Sequence, residues 1–316
     1  MMVCSVAGSG GPASPSDLDF SVSSNTSVVT FPESSFFMEQ RAPALPSPAQ
    51  IRASNQKTGH PRATDFDRPV PVSIPSLGLF VKYGGDVTST EADTQIFVRE
   101  QLRQSDHPVP IPEVFGYAED GGQRFIYMAL MEGKTLQERF AKLTEMELQA
   151  ICAELKGMVD AWRRVLKQDP ADLYIAKTTG SVGKRPLNDY LFDTDPHEAG
   201  PFLGPAAAQD FHKACDIHIF GPEPVVFTHD DLCPPNILIS EGPEPKVTAI
   251  IDFGQSGWYP WYWEWCKARR VGRIDEGVFE YAHAEEWRTK YLPLVLESAD
   301  DEKFYHPWLF RMLSRG

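Results

Sequence analysis

Hydrophobic and polar residues follow two different patterns along this chain, and the pattern changes near residue 133. Before that point, short apolar runs bounded by glycines predict strands: "GLFVKYG" at 78–84 and a hairpin in "EVFGYAEDGGQRFIYMALMEG" at 113–133. "EADTQIFVREQLRQ" at 91–104 has the spacing of a helix. These elements predict one antiparallel sheet with a helix packed against it.

After residue 133 the pattern is mainly helical. A long amphipathic helix is predicted at 144–167, where Thr144 and Glu147 have the spacing of a capping box and apolar residues recur every three to four positions. Further helical patterns cover 206–220, the stretch after residue 260, and 284–297. The sequence therefore predicts a bilobed α+β protein with a small antiparallel-sheet N-lobe and a larger, mainly helical C-lobe.

The N-terminal segment shows neither the strand pattern nor the helix pattern over most of its length. Residues 1–40 are rich in Ser, Gly and Pro, so we expect them to be disordered, although "SVVTF" at 27–31 has strand character. Ser47 followed by Pro48 predicts the start of a short helix. We assign residues 41–132 to the N-lobe and residues 133–316 to the C-lobe.

Composition narrows the function classes. The 316 residues include 44 acidic and 30 basic side chains, a net charge of −14, which disfavours binding to a nucleic-acid backbone. No apolar run approaches the roughly 18 residues of a membrane span, and no signal peptide is visible. The five cysteines are scattered, without zinc or disulfide spacing. These features predict a cytoplasmic protein with no nucleic-acid or membrane partner.

The densest group of polar side chains precedes a predicted strand, in "HDDLCPPNILIS" at 229–240. If "NILIS" and the following "VTAIID" fold back as a hairpin, Asn236 faces Asp252, with Asp231 in the entering loop. Buried apolar strands do not normally gather an amide and two carboxylates without an ion that neutralises them. Oxygen-only ligands favour a hard cation such as Mg²⁺.

This arrangement resembles the D-x-x-x-x-N loop and D-F-G metal site of the protein-kinase-like superfamily. "FTHDDLCPPNILI" is most similar to the catalytic loop of the aminoglycoside phosphotransferase family, and "IIDFGQSGWYPWYWEW" resembles the fungal branch of that family. The resemblance implies a protein-kinase-like fold. It also implies transfer of the γ-phosphoryl group of ATP, with Mg²⁺, to a hydroxyl of a small molecule.

The resemblance further implies roles for individual residues. Asp231 matches the catalytic base, because its spacing to Asn236 fits the motif whereas that of Asp230 is one residue off. Asn236 and Asp252 match the metal ligands. Lys82 matches the lysine that contacts the α- and β-phosphates, and Glu91 the acid that orients this lysine.

The nucleotide-binding part of the resemblance is less complete. "MALME" at 128–132 matches the hinge, so the main chain of Met128, Ala129 and Leu130 is expected to hydrogen-bond adenine. No G-x-G-x-x-G motif precedes Lys82. This absence keeps open an alternative function, a catalytically silent nucleotide-binding or scaffold protein with the same fold.

For three further features near the loop, we expect roles other than catalysis. His229 is expected to brace the loop rather than to transfer protons. Asp230, where the family usually has glycine, is expected to be solvated or to face a cationic substrate. The aromatic block after Gly257 favours a packed anchor over an aromatic cage.

Overall fold

A computed structural model describes residues 27–103, 108–178, 183–192, 196–219, 221–270 and 280–314. These residues form two compact units, one from the described parts of 1–99 and 111–132 and the other from those of 100–110 and 133–316. The first unit holds an antiparallel sheet and the second is mainly helical, so the predicted α+β class is confirmed. Within the described residues, no helix has the length and apolar character needed to cross a membrane.

The first unit is built on five antiparallel strands. They are β1 (Ser27–Thr30), β2 (Val72–Ile74), β3 (Leu79–Gly84), β4 (Val114–Asp120) and β5 (Gln123–Ala129), in spatial order β1-β4-β5-β3-β2. Its helices are α1 (Ser35–Met38), α2 (Pro48–Lys57) and α3 (Ser89–Arg103), with a 3₁₀ turn at Pro75–Leu77. The predicted hairpin is β4–β5, and its two-residue turn needs the positive φ angles found at Gly121 and Gly122.

Each face of this sheet carries apolar packing. One face buries Phe36 and Ile51 against Val81 and Phe125. On the other face, Ala92 of α3 packs against the cluster that contains Ile126. The sheet and α3 are thus held together as the alternation in the sequence predicts.

The strand character of residues 27–31 is confirmed by β1, whereas the expectation of disorder is wrong for residues 32–40. β1 pairs with the edge of β4, with Val28 opposite Ala118, and Phe36 is fully buried. The segment is held by pairing with the edge of β4 and by the burial of Phe36 in the core. Neither contact can be recognised from the composition of the segment itself. Residues 1–26 of the predicted disordered segment lie outside the described residues.

The second unit combines helices with short paired strands. Its helices are α4 (Leu136–Arg139), α5 (Glu145–Val165), α6 (Ala207–Ala214), α7 (Trp263–Ala268), α8 (Tyr281–Glu286), α9 (Leu292–Val295) and α10 (His306–Ser314), with π turns at Trp287–Tyr291 and Asp301–Tyr305. Its strands are β6 (Lys134–Thr135), β7 (Tyr174–Ile175), β8 (Lys177–Thr178), β9 (Lys184–Arg185), β10 (Phe202–Leu203), β11 (Val225–Thr228), β12 (Ile237–Ile239), β13 (Val247–Ile250) and β14 (Gly257–Pro260).

Local signals predicted the helix starts better than the helix ends. The capping box of Thr144 and Glu147 is present at the start of α5, and Ser47 caps α2 in the same way with Gln50. In contrast, α6 ends at Ala214, well before residue 220, because the chain turns at Asp216, where φ is positive. The helix expected after residue 260 reaches Ala268, and its predicted continuation falls partly on residues 271–279, outside the described part of the chain.

The hairpin that carries the polar cluster differs from the predicted pairing by one or two residues. Ile237 of β12 lies opposite Ile250 of β13, and the register shifts between Leu238 and Ile239. The carbonyl of Asn236 therefore accepts a hydrogen bond from the N–H of Ile251, at 3.0 Å, and Asp252 follows one position later.

Candidate active site

The loop between β11 and β12 is held by one buried carboxylate that the sequence analysis missed. Glu264 of α7 is 1% exposed and accepts hydrogen bonds from three backbone N–H groups of the loop. Its Oε2 lies 2.6 Å from the nitrogen of His229, and its Oε1 lies 3.0 Å from that of Asp230 and 3.4 Å from that of Leu232. A single side chain thus fixes the start of the loop.

His229 joins this loop to the segment after β13. Its Nδ1 accepts from the N–H of Asp231 at 3.2 Å, and its Nε2 lies 3.1 Å from the carbonyl of Ile251. Because the amide can only donate and the carbonyl can only accept, the proton of the neutral ring is on Nε2. Both ring nitrogens are used in these bonds, which agrees with the expected bracing role.

Asp231 and Asn236 are in direct contact. Asn236 Nδ2 donates to the Oδ2 of Asp231 at 2.8 Å and to its carbonyl oxygen at 2.9 Å. Asn236 is 2% exposed, whereas Asp231 is partly exposed. No described residue donates to the Oδ1 of Asn236, so this amide oxygen is left for another partner.

Cys233 shows that Asp252 lies near this pair. The thiol donates to Asp231 Oδ1 at 3.3 Å, and Asn236 Nδ2 lies 3.7 Å from the sulfur. Burial, and after it the charges of Asp231 and Asp252, raises the pKa of the Cys233 thiol well above its usual value. Asp231 and the amide of Asn236 thus contact the buried sulfur, and the charge of Asp252 acts on it. Asp252 itself has a positive φ of 67°, at the turn that follows β13.

The expectation that Asp230 is solvated or faces a substrate is wrong. Its side chain has no exposed area and lies 3.3 Å from the ammonium of Lys267. The backbone at Asp230 adopts a left-handed conformation, with φ at 68°, which suits glycine and is tolerated by aspartate. Asp230 thus adopts a conformation that is typical of glycine and turns its carboxyl group inward.

The segment after Asp252 is held by buried cations from elsewhere in the chain. Lys177 Nζ donates to the carbonyl of Gly254 at 2.6 Å, and Asn188 donates to the same oxygen at 2.9 Å. Lys267 donates to the side-chain oxygen of Gln255 at 2.9 Å. The sequence did carry a signal for Glu264 and Lys267, because both are charged residues inside the otherwise apolar stretch "WYWEWCKA".

The aromatic block packs as an anchor. Trp258, Tyr259, Tyr262 and Trp263 are all buried, and the rings of Tyr259 and Trp263 stack with centroids 5.8 Å apart. The described cysteines Cys152, Cys215, Cys233 and Cys266 are buried and form no disulfide with one another.

In the first unit, the structure brings Lys82 and Glu91 together. Lys82 Nζ on β3 lies 2.5 Å from Glu91 Oε1 at the start of α3. The two residues are 8% and 3% exposed. The interior of a protein stabilises such charges only when they are paired, so each side chain needs the other.

Replacing Lys82 by methionine is expected to destabilise the first unit by about 3–5 kcal/mol, because the buried Glu91 carboxylate loses the ammonium that neutralises it. The double variant Lys82→Met/Glu91→Gln removes both charges and should recover much of this loss. Urea unfolding of the single and double variants measures the difference. A Lys82→Met protein as stable as the wild type would contradict this account of the pair.

The predicted hinge residues are largely committed to the sheet. Met128 and Ala129 belong to β5, and the N–H of Ala129 donates to the carbonyl of Glu113 at 2.8 Å. The N–H of Leu130 donates to the carbonyl of Gly78 at 2.9 Å. The amide protons of Ala129 and Leu130 are therefore already used within the first unit.

Comparison with known proteins identifies a family. A model described as "Phosphotransferase enzyme family" matches residues 85–292, more than half of the chain. No protein with a curated description matches the sequence at a significant level.

Solved structures with detectable similarity include several aminoglycoside phosphotransferases. One is a thermostable mutant of APH(4)-Ia in a ternary complex with AMP-PNP and hygromycin B, at 20% identity and a TM-score of 0.39, where the match covers 60% of this chain and 63% of that one. Another is an aminoglycoside-3'-phosphotransferase of type VIII, at 16% identity and a TM-score of 0.43, covering 74% and 84%. A third is APH(3'')-Id from Streptomyces rimosus with ADP and streptomycin, at 15% identity and a TM-score of 0.41, covering 79% and 94%.

Proposed function

The chain belongs to the phosphotransferase enzyme family, and we propose that it transfers the γ-phosphoryl group of ATP, with Mg²⁺, to a hydroxyl group of a small molecule. One observation carries the proposal. The partly exposed carboxylate of Asp231 is oriented by the amide of Asn236, within a loop that Glu264 fixes through three backbone bonds. A fixed carboxylate that solvent can reach is what a catalytic base requires.

Asp231 would act on the acceptor. The acceptor oxygen forms a bond to the γ-phosphorus, the bond from that phosphorus to the β–γ bridging oxygen breaks, and ADP leaves. The hydroxyl proton passes to Asp231. Asp231 Oδ2 accepts a hydrogen bond from Asn236, whereas Asp231 Oδ1 accepts only a weak one from the Cys233 thiol. We therefore propose that Oδ1 receives the proton.

The donor atoms near this base fit a magnesium ion. Asn236 offers an amide oxygen that no described residue uses, and Asp252 offers a carboxylate. No cluster of three or more His, Cys, Asp or Glu side chains arranged to hold a metal occurs among the described residues. A site with so small a number of protein ligands is suitable for Mg²⁺, because this ion keeps several waters and binds phosphate oxygens as well. It is not suitable for zinc. When bound, Mg²⁺ neutralises charge on the phosphates; Asn236 and Asp252 would hold it.

The first unit would supply the nucleotide contacts. Lys82, kept in place by Glu91, is proposed to contact the α- and β-phosphates. Adenine is proposed to bind the main chain of the segment that starts at Met128. Since the amide protons of Ala129 and Leu130 are used in the sheet, the carbonyl groups there and the residues that follow would make these bonds. Such a reaction fits the cytoplasm, where ATP and Mg²⁺ are supplied.

The absence of a G-x-G-x-x-G motif before Lys82 favours one alternative, a catalytically silent nucleotide-binding or scaffold protein. The two functions differ in their dependence on Asp231. A silent protein would bind ATP and show a nucleotide-induced thermal shift without any turnover that Asp231→Ala abolishes.

A screen of hydroxyl compounds with γ-labelled ATP tests the proposed function. The similar solved structures contain hygromycin B or streptomycin, so aminoglycosides belong in the screen beside sugars and amino alcohols. We expect labelled product from at least one class, in the presence of Mg²⁺ and not with Asp231→Ala. Nucleotide binding without any Asp231-dependent product would support the silent alternative instead.

A further inference from the structure

Three ionisable side chains meet in the interior beside the candidate catalytic loop. Lys267 Nζ of α7 lies 3.1 Å from Asp189 Oδ2 and 3.3 Å from Asp230 Oδ2. Neither carboxyl side chain has any exposed area, and the lysine side chain is 4% exposed. The ammonium also donates to Gln255 Oε1 at 2.9 Å and lies 4.1 Å from the ring centroid of Tyr190. Buried charges of this kind are tolerated only when they balance.

One ammonium can balance only one of the two carboxylates. Asp189 has the better partners, since it also accepts from the N–H of Leu191 at 2.8 Å and from Trp263 Nε1 at 3.1 Å. Although burial favours its protonation, the Lys267 ammonium and the N–H of Leu191 lower the pKa of Asp189. The oxygens of Asp230 accept no hydrogen bond from the described residues.

Asp230 is therefore the group that keeps a proton. Burial, opposed by Lys267 but reinforced by the charge of Asp189, raises the pKa of Asp230 well above its usual value. Tyr259 and Glu264 also face Asp230, and the charge of Glu264 acts in the same direction. The cluster is then neutral as a whole: a carboxylate at Asp189, an ammonium at Lys267 and a carboxylic acid at Asp230.

We infer that Lys267 is a positioning residue for phosphoryl transfer, because its ammonium joins the loop that carries the base to the segment that carries a metal ligand. Asp230 directly precedes Asp231, and Gln255 lies three residues after Asp252. One buried cation thus sets the position of the base relative to Asp252. The effect on turnover rests on the proposed function, whereas the charges of the cluster can be measured in any folded preparation.

The first test compares the same substitution at the two carboxyl groups. Asp230→Asn keeps the size, the tolerance of a left-handed backbone and a proton to donate, so it should leave the folded protein intact. Asp189→Asn leaves Lys267 to be balanced by Asp230, whose oxygens accept no hydrogen bond from the described residues, so it should raise the equilibrium constant for unfolding by at least about tenfold. If Asp230→Asn lost as much stability to unfolding as Asp189→Asn, the assignment of a neutral Asp230 and a charged Asp189 would be overturned.

The pH dependence of unfolding tests the proton that is assigned to Asp230. Above the unfolded pKa of about 3.9, the wild type binds one more proton when folded, at Asp230, so its stability falls as pH rises toward the folded pKa. The unfolding constant of the wild type relative to Asp230→Asn should therefore rise about tenfold per pH unit above about pH 5, until the pH reaches the folded pKa of Asp230. Relative to Asp189→Asn it should rise in the same way, because in that variant Asp230 gives up its proton to balance Lys267 and is ionised in both states. If the ratio of the unfolding constants of the wild type and Asp230→Asn did not change with pH, the inference would be contradicted.

The second test separates positioning from mere stability. Lys267→Met leaves Asp189 unbalanced and should unfold at lower denaturant, while Lys267→Met/Asp189→Asn removes both charges and should recover at least half of that loss. We expect the double variant to keep kcat depressed at least tenfold, with KM for ATP changed less than threefold. Recovery of kcat together with stability would show that Lys267 has no positioning role. If the wild type transfers no phosphate at all, the proposed function fails, and the unfolding series still decides the charges of the cluster.

Discussion

Replacing Asp231 by asparagine is expected to lower the turnover number for phosphoryl transfer by a factor of about 10²–10⁴. The asparagine side chain has nearly the same shape and can still accept from Asn236 Nδ2, which now donates to Asp231 at 2.8 Å. It cannot take up the proton of the acceptor hydroxyl. The loss should therefore fall on kcat and leave the folded structure in place.

Nucleotide binding is the control for this variant. Because Asp231 makes no proposed contact with adenine, the thermal shift that ATP and Mg²⁺ produce should be the same within error in the wild type and in Asp231→Asn. If the variant loses the thermal shift together with turnover, Asp231 contributes to nucleotide binding, and its assignment as the base is not supported by the kinetics.

Replacing Glu264 by alanine is expected to lower the free energy of unfolding by about 3 kcal/mol or more. Three backbone N–H groups, those of His229, Asp230 and Leu232, lose their common acceptor in a region without access to water. Each unsatisfied buried donor costs about 1–3 kcal/mol. Alanine is a good helix former, so α7 itself should not be weakened by the change. Denaturant unfolding measures the loss.

A matched glutamate provides the control for this prediction. Glu154 accepts from one backbone N–H, that of Val247, at 2.8 Å, and its side chain is 26% exposed. Glu154→Ala should therefore cost only about 1 kcal/mol. Equal losses at the two sites would mean that Glu264 does not hold the loop through its three bonds.

Local features of the sequence predicted the parts of the fold that depend on neighbours in the chain. The β4–β5 hairpin and the capping box at Thr144 each depend on a few consecutive residues, and both are present. The contact of Asp231 with Asn236 likewise arises within one short loop. The pairing of β12 with β13 differs from the prediction by two residues at Ile239 and by one at Ile237 and Leu238, because neither the centre of the turn nor the register shift leaves a mark in the apolar pattern.

Features that depend on distant residues were missed. Asp230 was expected at the surface, and its burial depends on Lys267 and Asp189, which come from other elements. The strand character of β1 is visible in the sequence, but its pairing with β4 cannot be seen in its own composition. Charged residues inside an apolar stretch, as in "WYWEWCKA", are the sequence signal that would have indicated buried anchors.

The central claim is that Asp231 serves as the base in a magnesium-dependent transfer to a hydroxyl acceptor. A single-turnover experiment tests it most directly, with γ-labelled ATP, Mg²⁺ and the acceptor all in excess of their binding constants. The account predicts that the wild type places label on the acceptor and that Asp231→Asn does so at least a hundredfold more slowly. Transfer by Asp231→Asn at the rate of the wild type would contradict it.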